Sequence, residues 1–326
     1  MSYAPLLALA LCSPVLAKAQ TAPPVPPFQQ QHNFSDAGVP ALDAARVLTW
    51  SSPPPDAINV HFVRTDRGVV LFDGLRRSDQ VEELVAALEL LGAEPTAILL
   101  THAHSDHYGG VPFLRDRYGA LPIYASEGVR EEIREDNVPD GQDRRAMFGI
   151  RFPTQATLEE HLPTDLVTDG REVSVAGLRI VPYVMGASES AAAVVYHLPE
   201  LNAAVVGDLV NVLTIAAPTV SLEEWLGQLD RLDALLPADA TLYVGHGSSG
   251  PAGRLIADQR TYLELLRDLV TEAMADEQGV SAEETADIVR AIRLAYPHHR
   301  GAALLSPDAL VEASVGWVAE QLVGEE

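Results

Sequence analysis

Residues 101–110 read THAHSDHYGG and place three histidines and an aspartate within six positions of a chain that has 10 histidines in total. His102 and His104 are two residues apart, so their side chains point the same way in extended backbone. Asp106 and His107 follow where the chain turns toward a predicted helix, which lets them converge from another side. Imidazole and carboxylate groups are ligands that zinc and similar ions accept. The segment therefore predicts a metal site, with an exposed polar loop as the alternative.

Two further loops offer side chains of the same kind. Asp208 directly follows the apolar stretch AVVG, and His246 lies between glycines in LYVGHGSSG. Each residue alone is weak support, because an aspartate at a strand end is more often a helix cap or a turn residue. Three loops that each follow an apolar strand and each offer histidine or aspartate together predict one shared metal centre.

The elements that must position these loops form two rounds of strands and helices. The strand patterns of the first round are INVHFVRT, GVVLFDG, TAILL and LPIYA, and those of the second are REVSVAG, LRIVPYV, AAAVVYHL, NAAVVGD and TLYVGHG. Helical periodicity appears between them. Two sheets packed against each other with helices outside would bury such apolar strands, which predicts an α/β fold. Residues 137–166 lack clear periodicity and are predicted to form a loop over a cleft.

The order THAHSDH, then GD, then GHG resembles the metallo-β-lactamase superfamily over about residues 45–250. The resemblance implies a four-layer αββα sandwich made of two similar halves. It implies that His102 and His104 bind a first metal ion. It also implies that Asp106, His107 and His246 bind a second ion and that Asp208 bridges the two.

Two positions around this motif carry further expectations. Asp73 of LFDG resembles the family's aspartate that steadies the histidine loop from outside the metal ligands, and a plain turn residue is the alternative. The family usually has a histidine in a GHT context before GD, but this chain has Ala187 after Gly186. Glu189 lies two residues further on and is a conceivable replacement, while His197 is predicted to be structural. The first metal site is therefore expected to be incomplete.

Metal-assisted hydrolysis is the chemistry that the resemblance implies, with a bound ion that lowers the pKa of a water molecule toward neutrality. Asp106 or Asp208 would hold that water, and His102 and His104 are candidate general bases when only the second site is filled, with His104 the preferred one. Zn²⁺ is the expected ion, one or two per chain, and iron, manganese or nickel suit the same ligands. The expected substrate is a small ester, lactone, amide or similar compound.

Two alternative functions stay open. One is a β-lactam hydrolase with a single ion in the second site, although family members of that activity often use a cysteine ligand. The sole cysteine here is Cys12, in the predicted signal peptide. The other is a non-catalytic binding protein with a degenerate metal site. Metal content and a panel of chromogenic esters and lactones would separate a binding protein from an enzyme.

Composition and the two ends of the chain bound the cellular context. The formal net charge of −24 disfavours nucleic acid, because its binding proteins need positive charge to displace counterions. Residues 1–19 resemble a signal peptide too short to span a bilayer, which predicts a secreted or periplasmic protein. Residues 20–44 are predicted to be a proline-rich leader and 45–250 the metal-binding domain. Residues 251–326 are predicted to be an extra C-terminal helical segment packed on that domain, with a homodimer contact or a substrate lid as alternatives.

Overall fold

The computed structural model describes residues 46–54, 56–137, 144–275, 279–302 and 305–324. The predicted signal peptide and the whole of the predicted leader lie outside these residues. Among the described residues, no helix combines the length and the apolar character needed to cross a membrane.

The first sheet has six strands whose order in the sheet follows their order in the chain. They are β1 (Val47–Ser51), β2 (Asn59–Thr65), β3 (Gly68–Phe72), β4 (Pro95–Leu99), β5 (Ile123–Ala125) and β6 (Asp165–Leu166). Strands β1 to β3 are antiparallel, and β3 to β6 are parallel. Gly68 closes the β2–β3 hairpin with a φ of 126°, and a Cβ there would lie 2.3 Å from the side chain of Thr96. Glycine is therefore required at this turn.

The second sheet also has six strands, in the order β12-β11-β10-β9-β8-β7. They are β7 (Val173–Val175), β8 (Leu178–Met185), β9 (Ala193–Leu198), β10 (Ala203–Gly207), β11 (Thr241–Val244) and β12 (Gly250–Pro251). Strands β10 and β11 are parallel, and the other neighbours are antiparallel. Both sheets place the carboxyl ends of their parallel strands at the edge where the predicted ligand loops begin.

The helices cover the outer faces of both sheets. They are α1 (Ser78–Leu90), α2 (Ser105–Tyr108), α3 (Val111–Tyr118), α4 (Glu127–Asn137), α5 (Arg144–Phe148), α6 (Gln155–Glu159), α7 (Leu222–Leu235), α8 (Ala252–Ala273), α9 (Ala282–Ala295) and α10 (Pro307–Gly324). Leu84 and Leu88 of α1 are one helical turn apart and are fully buried in the same core as the first sheet.

Strand β9 shows why two sheets pack together in this chain. Val194 and Tyr196 belong to the core shared with the first sheet, whereas Ala193 and Val195 belong to the core under α7 to α10. Since successive side chains of a strand point to opposite faces, both faces of the sheet are buried, and the strand is apolar apart from His197 and the hydroxyl of Tyr196. The predicted four-layer αββα sandwich with C-terminal helices is confirmed. The division of the chain at residue 250 stays a prediction.

The region predicted to be a loop, residues 137–166, contains two short helices. Helices α5 and α6 have five residues each. The side chain of Thr154 caps α6 by accepting a hydrogen bond from the backbone N–H of Thr157. Five residues span little more than one helical turn, which is too short to show helical periodicity in a sequence.

Candidate metal centre

The histidine loop begins where β4 ends, and Asp73 holds its first turn. Asp73 follows β3, is 1% exposed and has a φ of 67°. Its Oδ1 accepts a hydrogen bond of 2.8 Å from the backbone N–H of Thr101, and its Oδ2 lies 2.8 Å from His107 Nδ1. The bond from His107 Nδ1 to a carboxylate leaves Nε2 free to bind a metal. Asp73 therefore lies where a residue that orients a ligand must lie.

The structure brings the six predicted ligand residues together in two groups. One group is His102, His104 and Asp208, and the other is Asp106, His107 and His246; within each group the ligand atoms lie within 4.8 Å of one another. Asp208 Oδ2 lies 3.7 Å from His102 Nε2, 3.4 Å from His107 Nε2 and 3.4 Å from His246 Nε2. Asp208 is thus the side chain between the two groups.

Buried polar atoms without hydrogen-bond partners point to a metal at this position. His102 Nε2, His107 Nε2 and Asp208 Oδ1 are buried and have no hydrogen-bond partner. Burying such atoms without a hydrogen bond costs free energy, unless a bound ion or water molecule supplies the missing partner. All three belong to the two ligand groups, and their chemistry suits a divalent transition metal. The residues therefore fit a divalent metal ion.

The glycine before each ligand loop of the second sheet has a steric role. Gly207 precedes Asp208, has a φ of 55°, and a Cβ there would lie 2.4 Å from Thr101 Oγ1. Gly245 precedes His246, and a Cβ there would lie 2.0 Å from Asp208 Oδ1. Any side chain at Gly245 would therefore occupy the centre itself.

The aspartates of the centre raise the pKa of two of its histidines, His107 and His246. Burial alone would lower the pKa of His107, but Asp208 and Asp73 outweigh it and hold that pKa well above the usual range. Burial likewise opposes the charge of His246, yet Asp208 and Asp106 raise its pKa to about 10. A site that attracts protons this strongly in the absence of a metal also attracts a metal cation.

The carboxylates of the centre are ionised at neutral pH. Burial alone would raise the pKa of Asp106, but Arg76 and then His107 hold it well below its usual range. Burial also opposes ionisation of Asp208, and His246 and His107 hold its pKa well below its usual range. Ionised carboxylates are the form in which aspartate binds a metal.

A buried ion-pair chain supports Asp106 from outside the ligand groups. Arg76 Nη2 lies 3.3 Å from Asp106 Oδ2, and Arg76 Nη1 lies 2.7 Å from Asp56 Oδ1. Asp56 also pairs with Arg77 at 2.9 Å and accepts a hydrogen bond of 2.6 Å from Gln80. Arg76 is therefore fixed by a second carboxylate while it contacts Asp106.

The loop that carries His246 is fastened to the first sheet. Asn59 Nδ2 donates to the carbonyl oxygens of Val244 and Gly247, at 2.9 Å each, and its backbone N–H donates to Gly245 at 2.8 Å. The residues on both sides of His246 are thus held by one asparagine of β2. Sequence reasoning missed Asn59, Asp56 and Arg76; the pair of arginines just after LFDG was the available signal for Arg76.

The sequence predicts that the first site lacks a ligand at Ala187, with Glu189 as a conceivable replacement. Ala187 is 9% exposed, and its methyl group offers no ligand atom. Glu189 lies outside both ligand groups and accepts a hydrogen bond of 2.7 Å from Asn211 Nδ2. Burial, and then the charge of Asp208, hold the pKa of Glu189 well above its usual range. His197 lies on β9 and stacks on Tyr183 at 6.0 Å, away from both ligand groups.

Comparison with known proteins shows which protein family the chain matches. The sequence model of the metallo-β-lactamase superfamily matches residues 53–247. A hydroxyacylglutathione hydrolase of Xylella fastidiosa strain 9a5c is 48% identical over 61 residues, which is 19% of this chain and 23% of that relative. This chain therefore spans about a quarter of the length of that relative. A probable metallo-hydrolase of Streptococcus pyogenes serotype M6 is 27% identical over 197 residues, covering 59% of this chain and 79% of the relative.

Solved structures show the same fold. A metallo-beta-lactamase family protein from Thermus thermophilus superposes with a TM-score of 0.62 at 21% identity, over 86% of this chain and 93% of that one. The predicted resemblance is confirmed. The chain belongs to the metallo-β-lactamase superfamily.

Proposed function

We propose that the protein is an exported hydrolase that uses a metal-activated water on an ester, lactone, amide or similar small substrate. The observation that carries the proposal is the convergence of six histidine and aspartate side chains, three of them with buried, unpartnered ligand atoms. The family match supports hydrolysis, and the signal-like residues 1–19 support export.

The ligand assignment follows the two groups. We assign His102, His104 and the shared Asp208 to a first Zn²⁺ site, and Asp106, His107, His246 and Asp208 to a second. When bound there, a divalent ion supplies a water molecule of lowered pKa and an electrophilic centre for the scissile group. The second site has four protein ligands, while the first lacks the family's third histidine at Ala187.

The side chains of the centre orient the water, accept its proton and hold the metal ligands in position. The carboxylates of Asp106 and Asp208 line the cleft and can accept a hydrogen bond from a water molecule, which fixes its orientation. His104 also lines the cleft and is only partly buried, so it can take a proton from that water when the first site is empty. Asp73 and Arg76 hold His107 and Asp106 in position from behind.

The test measures metal and activity on the same preparation. Protein purified without added metal is analysed for bound elements and assayed on an aryl ester, a lactone, a thioester and a chromogenic β-lactam. We expect bound Zn²⁺, loss of activity with a chelator, and recovery on adding the metal back. Asp208→Asn should lower kcat/KM on the accepted substrate at least 100-fold, because removing a metal ligand costs more than the roughly 10–100-fold loss seen for supporting residues. The control variant Asp239→Asn, at an exposed position, should change kcat/KM less than twofold.

The outcome also separates the alternatives. Bound metal with no turnover of any substrate would favour a non-catalytic binding protein. Turnover of the β-lactam alone would favour the narrower β-lactam hydrolase. Export is tested separately, by N-terminal sequencing of the mature protein, which should begin at or near Gln20; a mature protein that retains Met1 would contradict it.

A further inference from the structure

The cleft that contains the metal centre continues onto a surface built by the C-terminal segment. It has a volume of about 580 Å³ and reaches from His104, Asp106, Asp208 and His246 to an opposite wall. That wall includes Leu213 and Ile215, which follow β10, together with Arg300, Leu310 and Trp317 from the C-terminal segment. A molecule that reacts at the centre therefore also meets this wall.

Backbone hydrogen bonds hold the wall together. The backbone N–H of Arg300 donates to the carbonyl oxygen of Leu213 at 2.8 Å. The backbone N–H of Ile215 donates to the carbonyl oxygen of Arg300, also at 2.8 Å. Gln321 of α10 donates through Nε2 to Pro218 at 2.8 Å. Segments about 85 to 103 residues apart in sequence are thus joined into one fixed surface.

Leu213 gives the wall an unusual apolar contact. Its side chain is 45% exposed, and its φ of 56° lies in the left-handed region that leucine rarely adopts. The bond from Arg300 holds this strained residue at the cleft. Trp317, partly buried, and the buried Leu310 line the same cleft. An exposed leucine and a tryptophan beside a reactive centre suit an apolar part of a ligand.

Arg300 gives the wall a positive charge. Within the part of the chain that the structure describes, no carboxylate lies within 4.0 Å of the Arg300 guanidinium, whereas Arg76 in the same cleft pairs with both Asp56 and Asp106. Guanidinium groups bind carboxylates and phosphates well.

We propose that this wall is a substrate subsite that selects amphiphilic anions, with the apolar chain on Leu213 and Trp317 and the negative group on Arg300. The proposal rests on the proposed hydrolase for the position of the scissile bond, and it names the class of substrate. It does not require that the bound molecule be cleaved, so binding can be measured separately from turnover.

The experiment follows Trp317 fluorescence during titration with decanoate. Trp50 and Trp225 are 2% and 0% exposed, so Trp317 is the tryptophan that a ligand in the cleft can reach. Decanoate should change the fluorescence saturably in the protein as purified and after treatment with a chelator. Trp317→Phe should remove the change. Decyltrimethylammonium has the same chain and the opposite charge, and it should bind at least tenfold more weakly than decanoate.

Paired variants separate the two contacts. Arg300→Gln keeps the backbone hydrogen bonds and should weaken decanoate about five- to tenfold, whereas the exposed Arg290→Gln on α9 should not. Leu213→Asn removes the apolar contact but suits the left-handed backbone, and it should weaken decanoate about three- to tenfold. Leu294→Asn, 84% exposed on α9, is its control.

Each result decides the proposal. Equal decanoate affinity in Arg300→Gln and Arg290→Gln, or in Leu213→Asn and Leu294→Asn, would overturn it. Absence of binding together with a dimer in size-exclusion chromatography would also overturn it, in favour of a second copy covering the wall. Binding as expected without hydrolysis of any of the assayed substrates would leave the subsite in place and contradict the proposed function instead.

Discussion

At the residue scale, the two ligand groups differ in how completely they are supported. Asp106 and His107 of the second group have partners behind them, Arg76 and Asp73. In the first group, His102 Nδ1 lies 2.9 Å from Thr101 Oγ1, which itself contacts Asp73. Among the described residues the first group has two imidazoles, and Ala187 stands where the family resemblance predicts a third. We therefore expect the second site to bind metal more tightly than the first.

Metal stoichiometry tests the role of Ala187. The unmodified protein should hold about one tightly bound ion per chain, and Ala187→His should hold two. Removing a residue that only supports a ligand lowers metal affinity roughly 10–100-fold, and a missing ligand should lower it by more. Equilibrium dialysis with elemental analysis measures both. Two tight ions in the unmodified protein would contradict the prediction, and Glu189→Gln would then show whether Glu189 is the added ligand.

Arg76 offers a second test at this scale. Arg76→Met removes the guanidinium that contacts Asp106 and should weaken Zn²⁺ binding at the second site about 10–100-fold. Arg76→Lys should recover part of the affinity. Arg77→Met is the matched control, because Arg77 pairs with the same Asp56 but has no contact with Asp106. Competition with a chromogenic chelator measures the affinities; equal effects of Arg76→Met and Arg77→Met would contradict the role assigned to Arg76.

At the scale of elements, β2 joins the two sheets next to the centre. Asn59 holds the backbone on both sides of His246, and His61 lies 2.8 Å from the carbonyl oxygen of Val244 through Nε2. Because a carbonyl oxygen only accepts, Nε2 carries a proton, and burial lowers the pKa of His61 to about 4, so the ring is neutral at pH 7. Its Nδ1 lies 2.9 Å from Thr49 Oγ1, whose hydroxyl can then donate to it. One strand of the first sheet thus fixes a ligand loop of the second.

His61 makes the stability of this junction depend on pH. Burial is the main cause that lowers its pKa from 6.5 to about 4. Between pH 6.5 and 4 the unfolded chain binds a proton at His61 and the folded chain does not, so stability is lost as the pH falls through this range, by at most about 3 kcal/mol. Above pH 6.5 this residue adds no pH dependence.

Urea unfolding of the metal-free protein at several pH values measures this effect. His61→Gln should unfold with a shallower dependence of free energy on pH between 6.5 and 4 than the unmodified protein. The exposed His298→Gln should leave the dependence unchanged. The same slope in His61→Gln and in the unmodified protein would show that His61 does not carry the effect.

At the scale of the whole molecule, the C-terminal helices share a core with the second sheet. Leu263 and Leu266 of α8 are fully buried together with Val195 of β9 and Leu242 of β11. Helix α10 adds part of the cleft wall through Leu310 and Trp317. We therefore propose that residues 251–326 are a packed extension of the domain at 45–250. The predicted homodimer contact through these helices stays a hypothesis.

Truncation of one leucine tests this packing. Leu266→Ala should lower the free energy of unfolding by about 2–5 kcal/mol, because it leaves a cavity in a shared core. Leu294→Ala, at an 84% exposed position of α9, should change it by less than about 0.5 kcal/mol. Thermal unfolding should show a single transition for both, and two separate transitions would contradict a common core.

The sequence by itself determined the candidate ligand residues, their order and the fold. Residues 101–107, Asp208 and His246 could be identified because short apolar strands end in polar loops, and strand periodicity is a local property of the chain. The family resemblance then supplied the sandwich and the grouping of ligands, and the structure shows that grouping in space. Asp73 was also found, because it lies in a short motif at the end of a strand.

The tertiary structure alone decided which residues support the centre and form the cleft. Asp56 reaches Arg76 across 20 positions, Asn59 reaches Val244 across 185, and Arg300 meets Leu213 through paired backbone. None of these pairs has a spacing that a local pattern could reveal. The distances within these pairs depend on how the two sheets pack against each other and on where the C-terminal helices return to the cleft. Contacts between residues so far apart in sequence are set by the packed core and not by neighbours in sequence.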